Sequence, residues 1–149
     1  MKLPARFSLL FFIGILLAGS TALGYYYYYV YNPPLKAAEQ FMRAMESGDA
    51  QALEQAIIMT NNPDEGELHE ATAEEANELL TQPFERGRIL DQHKREGKDR
   101  DYYYLVYREP DAQVYALLAT RVGEGFRIVI SDRNMGTPQR YAWKFDWTN

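Results

Sequence analysis

The sequence predicts an α+β protein: an N-terminal membrane helix, then two or three helices packed on a curved antiparallel sheet of four or five strands. Three observations carry this. Residues 7–30 contain no charged side chain. Residues 35–80 place apolar residues at helical spacing, interrupted by a Gly-Asp break and later by a Thr-x-x-Glu capping box. From Gly87 onward, short runs of alternating character are separated by turn-forming clusters. With 149 residues there is room for one core and an appendage, so the expected boundaries are 1–32 for the membrane segment and 33–149 for one folded domain.

The first segment reads MKLPARFSLLFFIGILLAGSTALGYYYYYVYN. Its uncharged run of 24 residues would make a helix of about 36 Å, enough to cross a hydrocarbon core of about 30 Å with some tilt. Tyr25, Tyr26, Tyr27, Tyr28, Tyr29 and Tyr31 then fall where such a helix meets the bilayer interface, with ring among acyl chains and hydroxyl in water. Lys2 and Arg6 set the N-terminus on the cytoplasmic side and the rest of the chain outside. The competing expectation is a cleaved export signal and a secreted product. Residues 7–18 suit its apolar region, and small-x-small sites follow at Ala18/Ser20, Ser20/Ala22 and Ala22/Gly24. The uncleaved anchor is the preferred expectation.

Pro33 and Pro34 stop the first helix, because proline lacks a ladder donor and disfavours helical geometry in the residue before it. Both suit the first turn of the next helix, with Asn32 as its cap, so the folded domain is expected close to the bilayer. That helix buries Leu35, Ala38, Phe41, Met42 and Met45. Gly48 ends it and Asp49 caps a second, whose inner face is Leu53, Ala56 and Ile57. NNPDEGELHE is expected to be an acidic connection; Thr72 and Glu75 cap a third helix with Ala76, Leu79 and Leu80 inward, ending before Pro83. Strands are expected at RILDQHKRE, YYYLVYRE, QVYALLATRV and FRIVISD, joined as antiparallel hairpins. In YAWKFDWTN, Tyr141, Trp143, Phe145 and Trp147 alternate with smaller or charged residues, which predicts a fifth strand with one aromatic face.

The segments AAEQFMRAMESGDAQAL and, later, YYYLVYRE through FRIVISD resemble the cystatin-like cone fold of the nuclear transport factor two-like superfamily. The likeness covers residues 35–132 and is greatest to small exported bacterial members with an N-terminal membrane segment and no assigned activity. Other members include ketosteroid isomerase and polyketide cyclase relatives. The resemblance therefore implies a cavity between helices and sheet where an acid or base could sit.

Candidate catalytic residues are few. Asp91 and His93, two apart on one strand, share a face and could form an acid-base pair. Arg95 continues that face and Ile89 is its one apolar member, which favours a solvated edge. Tyr102, Tyr104 and Tyr115 are candidate hydroxyl donors to a ligand, although alternation puts Tyr103 and Tyr107 on the other side from Tyr102 and Tyr104. Tyr141, Trp143, Phe145 and Trp147 are the candidate aromatic binding surface, read first as core. The acidic run 64–70 holds His69 but matches neither an EF-hand nor a His-x-x-x-His helix. A third nitrogen ligand would have to be His93, so no metal and no cofactor are expected.

The net charge of −5 argues against nucleic-acid binding, which needs phosphate-neutralising bases. Residues 35–85 carry twelve acids against two bases, and residues 86–149 twelve bases against nine acids. Two layers of one fold that attract each other would show this asymmetry, as would a basic face for lipid headgroups. The absence of cysteine removes disulfides, thiolate ligands and a thiol nucleophile. Together these features predict a membrane-tethered, extracytoplasmic accessory domain without catalysis, its partners the lipid bilayer, another envelope protein and a second copy in a homodimer. The alternative is a small-ligand binding or isomerase-like protein with a tyrosine-lined cone.

Overall fold

An uninterrupted apolar run without proline or glycine pairs is a good helix former, and Ala5–Tyr26 is helical (α1, 22 residues) in the computed structural model. The structure describes residues 5–27, 32–61, 66–108 and 114–132. It divides into two compact units, Met1–Pro33 and Pro34–Asn149. Tyr28, Tyr29 and Tyr31, and the segment with Tyr141, Trp143, Phe145 and Trp147, lie outside the described residues. At 1.5 Å per residue the α1 backbone extends about 33 Å. Its described side chains, from Leu10 on, are all exposed, Phe11 by 70% and Leu16 by 71%. Among the described residues no helix is long and apolar enough to cross a membrane. The described side chains of α1 span residues 10–26, fewer than the roughly 20 apolar residues a crossing needs.

In the second unit, Asn32–Ser47 forms α2 with both prolines in its first turn, where their missing donors cost nothing. Asn32 is the first residue of this helix. Gly48 terminates it at φ +68°, a conformation that glycine adopts without a Cβ penalty. Asp49 accepts from the backbone N–H of Ala52 at 3.0 Å and so caps α3, Ala50–Ala56. Thr72 and Glu75 form the reciprocal capping box of α4, Ala73–Leu80, with Glu75 N–H donating to Thr72 Oγ1 at 3.2 Å and Thr72 N–H donating to Glu75 Oε2 at 2.8 Å.

The second helix is shorter than its apolar pattern predicts. Ile57–Thr60 is β1, buried at all four positions, and it pairs with Leu68–Glu70 (β2) inside what reads as an acidic connection. Two consecutive β-branched residues favour extended backbone, and a strand buried on both faces reads as a continuous apolar run rather than an alternating one. The remaining strands are β3 Arg88–Glu96, β4 Asp101–Arg108, β5 Val114–Val122 and β6 Gly125–Ser131. They form the expected antiparallel meander. β1 then joins β6 in parallel, so the sheet has six strands, is mixed, and runs β2-β1-β6-β5-β4-β3.

Alternation divides the sheet residues between two faces. Ile57, Met59, Leu105, Tyr107, Leu117, Ala119, Ile128 and Ile130 pack with Phe41 of α2, Leu53 of α3 and Leu79 of α4 in the main core. The other face carries a smaller cluster of Ile58, Tyr102, Leu118 and Val129, against which Leu68, Tyr104 and Val122 pack. Phe84, in the connection from α4 to β3, meets Phe41 edge-to-face with centroids 6.1 Å apart. Tyr107 is fully buried on the helix side, and its hydroxyl donates to the carbonyl of Glu85.

That packing leaves no room at Gly87. A Cβ there would collide with the backbone oxygen of Arg108 and the ring of Tyr107, neither of which is a flexible chain end. Gly87→Ala is expected to destabilise the domain by about 1–3 kcal/mol through overpacking, read from equilibrium urea unfolding. An effect below about 0.5 kcal/mol would contradict the tight approach of this connection to β4.

Candidate functional site

Asp91 and His93 lie on β3, an edge strand. A β-bulge between Ile89 and Asp91 changes the expected face. Ile89 pairs with Tyr107 and packs into the main core, whereas Asp91, His93 and Arg95 pair with Val106, Tyr104 and Tyr102 on the opposite side. The extra residue, Leu90, takes up the offset and is exposed. Asp91 Oδ2 and His93 Nε2 are 3.2 Å apart, but both side chains are about half exposed. A general base needs a shielded pocket to set its pKa, and this pair has none.

The candidate tyrosines do not converge. Tyr102 and Tyr104 stand on the smaller-cluster face, with Arg95 Nη1 3.5 Å from the Tyr104 hydroxyl. Tyr115 pairs directly with Tyr107 and therefore stands on the helix side. Between the helices and the sheet, where a cone interior is expected, Phe41, Leu53, Leu105, Tyr107 and Leu117 are each fully buried. Two clefts among the described residues are open surface features. One, of about 860 Å³, is lined by polar residues such as Gln40, Arg43, Glu46 and Gln55. The other lies at the end of β4 and β5 beside Arg100, Tyr103 and Phe126.

A different group does converge. His69 is in β2 opposite Met59, so it shares the helix-side face; Asp132 follows β6 immediately; Glu75 is in the first turn of α4. β1 lies between β2 and β6: Met59 pairs with His69 on one side and Thr60 with Ser131, the residue before Asp132, on the other, so both approach the C-terminal end of β1. His69 Nε2 is 3.9 Å from Glu75 Oε1 and 3.8 Å from Asp132 Oδ2. One donor atom from each of the three residues lies within 4.8 Å of the other two. Glu75 Oε2 is occupied by the capping box, accepting from Thr72 N–H and, at 2.9 Å, from Thr72 Oγ1. Its second oxygen is thus turned toward His69. The sequence offered His69 and the capping box separately, but Asp132 joins only through the parallel β1–β6 pairing, which periodicity does not reveal. His93, the one further nitrogen ligand that a metal reading of the sequence would have required, is on the opposite edge strand and takes no part.

Other ionic contacts tie the connection before β3 to α2. Arg86, preceding β3, donates to Glu39 and, at 3.0 Å, to Glu46, both on α2, while Arg43 Nε donates to Glu39 at 3.1 Å. Partial burial pushes the Glu39 carboxyl up, but hydrogen bonds and charge from Arg86 and Arg43 outweigh it and hold the group below its ordinary value. A depressed carboxyl contributes stability that is present above the unfolded-state pKa, near 4.5, and is lost as pH falls through the folded value. Glu39→Gln is therefore expected to lower stability at pH 7 and to converge with the parent as pH drops below about 4.5, checked by urea unfolding across pH 3–7. In contrast, Asp91→Asn and His93→Ala are each expected to shift unfolding by less than about 0.5 kcal/mol, since both are exposed surface changes. A larger loss would show that the β3 pair is built into the fold.

No family model, curated protein or solved structure matches this chain.

Proposed function

We propose that this chain is a membrane-tethered accessory domain without catalysis, anchored by α1 and carried on the outer side of an envelope membrane. The observation that carries the reading is the surface of α1. Leu10, Phe11, Phe12, Ile13, Ile15, Leu16, Leu17 and Leu23 are all exposed, on every side of one helix. A helix apolar all round is stable when protein or lipid covers it, and water does neither. Lipid is the cover we propose for this 22-residue helix. Exposed Tyr25, Tyr26 and Tyr27 suit the interface at the helix end.

The non-catalytic part of the proposal rests on the filled helix-sheet core and on the solvated Asp91–His93 pair. The antiparallel meander with helices on one side is compatible with the cone-fold superfamily that the sequence resembles, here with aromatic and aliphatic side chains where a ligand cavity would be. The partner is a second envelope protein or another copy of the chain.

The full chain is expected to stay in the membrane pellet after alkaline carbonate extraction. Leu16→Arg, which costs about 2.5–3.5 kcal/mol of insertion free energy at a helix centre, should move a large fraction to the supernatant. Recovery of the unaltered chain in the soluble fraction, with a new N-terminus near Leu23 or Tyr25, would overturn the tether and support secretion. Crosslinking in intact cells then tests the accessory role: an attached envelope protein or homodimer is expected, and a chain that crosslinks to nothing contradicts it.

A further inference from the structure

We propose that the cleft at the shared end of the β3–β4 and β5–β6 hairpins binds a phosphate monoester carrying an apolar group, with Arg100 and Arg121 as its cationic partners. The cleft has a volume of about 520 Å³ and is lined by both arginines together with Asp101, Tyr103, Thr120 and Phe126. Pockets of roughly 300–1,000 Å³ take small organic ligands. The two arginines are 21 positions apart in sequence and meet because β4 pairs with β5. Tyr102 lies opposite Thr120, so the residue leading into β4 and the residues leaving β5 come to one end of the sheet.

Two features set this cleft apart from an ordinary basic surface. The first is uncompensated charge. Arg43, Arg86 and Arg127 each pair with a glutamate, whereas among the described residues no carboxylate pairs with Arg100 or Arg121. Asp101, the acid in the lining, is engaged by Lys94 Nζ at 2.8 Å, which offsets a charge that would oppose an anion. The second is that both arginines are held before any ligand arrives. Arg121 Cζ lies over the Phe126 ring, 5.5 Å from its centroid. A cation–π contact consumes none of the guanidinium N–H donors, which stay available for an anion. Phe126 in turn meets Tyr103 edge-to-face with centroids 5.3 Å apart. At Arg100 the turn is tight: Gly97 N–H donates to the Arg100 carbonyl at 3.0 Å, and a Cβ on Gly97 would collide with that same oxygen. Thr120 Oγ1 donates to the Asp101 carbonyl at 2.9 Å and ties the start of β4 to β5. Such preorganisation lowers the ordering cost of binding.

Charge and lining select the ligand. A phosphate monoester carries close to two negative charges at neutral pH and three strong acceptor oxygens, so it can take donors from both guanidinium groups at once. A carboxylate, with one charge, would satisfy one of them. Tyr103 and Phe126 pack partly against the main core and offer their remaining ring surface to the apolar group. A lipid headgroup and a soluble phosphate ester share this chemistry. Nothing in the proposal depends on α1 or on the membrane.

The test uses the full-length chain in micelles of an uncharged detergent. Isothermal titration with phenyl phosphate is expected to give one saturable site, tighter than inorganic phosphate because the ring adds contact. Arg100→Gln and Arg121→Gln should each weaken phenyl phosphate roughly tenfold or more, the loss of a charge-assisted hydrogen bond. Arg88→Gln, at the far end of β3, serves as an unchanged control. Arg121→Lys keeps the charge and loses the planar fork, so a several-fold loss is expected from it even where a glutamine variant fails to fold. Dihexanoyl phosphatidic acid in the same micelles separates the two sources. Tighter binding than phenyl phosphate assigns the site to a lipid headgroup, and weaker binding to a soluble ester. Absence of a saturable site for both compounds, or binding that survives both glutamine substitutions, overturns the proposal and leaves the arginines as solvated surface charges.

Discussion

The parallel pairing of Ile57–Thr60 with Ile128–Ser131 is the contact on which the rest of the domain depends. Each half of the sequence could form its own local structure: capped helices before residue 81, hairpins after residue 87. Neither half buries its apolar surface alone. β1 leaves the helical half and inserts beside the last strand of the meander, and its side chains then serve both faces. Ile57 and Met59 join the main core, whereas Ile58 joins the smaller cluster. A long-range parallel pair brings no local turn to set its register, so the register must come from burial. A slip by one residue would carry Ile57 and Met59 to the other face and break both clusters.

This dependence explains which parts of the fold could be read from the sequence. Helix starts and stops were legible because their causes are local: Gly48 at positive φ, Asp49 as a cap, Thr72 with Glu75 as a box. The four meander strands were legible because each is flanked by turn chemistry. β1 and β2 were not. AIIM continues the apolar stripe of α3 with no intervening breaker, and only the partner strand 71 residues later makes it extended. The face of Ile89 was misjudged for a related reason, since a bulge inserts a residue that strict alternation cannot anticipate. The site was half legible: His69 and Glu75 are close in sequence, and Asp132 is not.

The charge asymmetry has a partial account in specific contacts. Arg86 bridges Glu39 and Glu46, and Arg127 pairs with Glu70, so bases of the second half meet acids of the first. Lys94 with Asp101, at 2.8 Å, links β3 to β4 within the second half. Exposed ion pairs contribute little individually, with a median of about 0–1 kcal/mol. Their value here is directional. Glu39 and Glu46 lie 7 residues apart on one face of α2, and Arg86 holds the connection before β3 against that face. The attraction therefore orients layers that apolar burial has already brought together.

Tyr107, a buried tyrosine of the described core, serves packing through both ring and hydroxyl. A tyrosine lining a cavity must present its hydroxyl to a guest, whereas Tyr107 spends its hydroxyl on the carbonyl of Glu85 and its ring on the helix-side core. That bond ties the backbone before β3 to β4, next to Gly87, where even a methyl group does not fit. Opening a cavity there would break this part-buried hydrogen bond and unpack the Phe41–Phe84 pair. Tyr107 therefore serves the packing of this corner through both its ring and its hydroxyl.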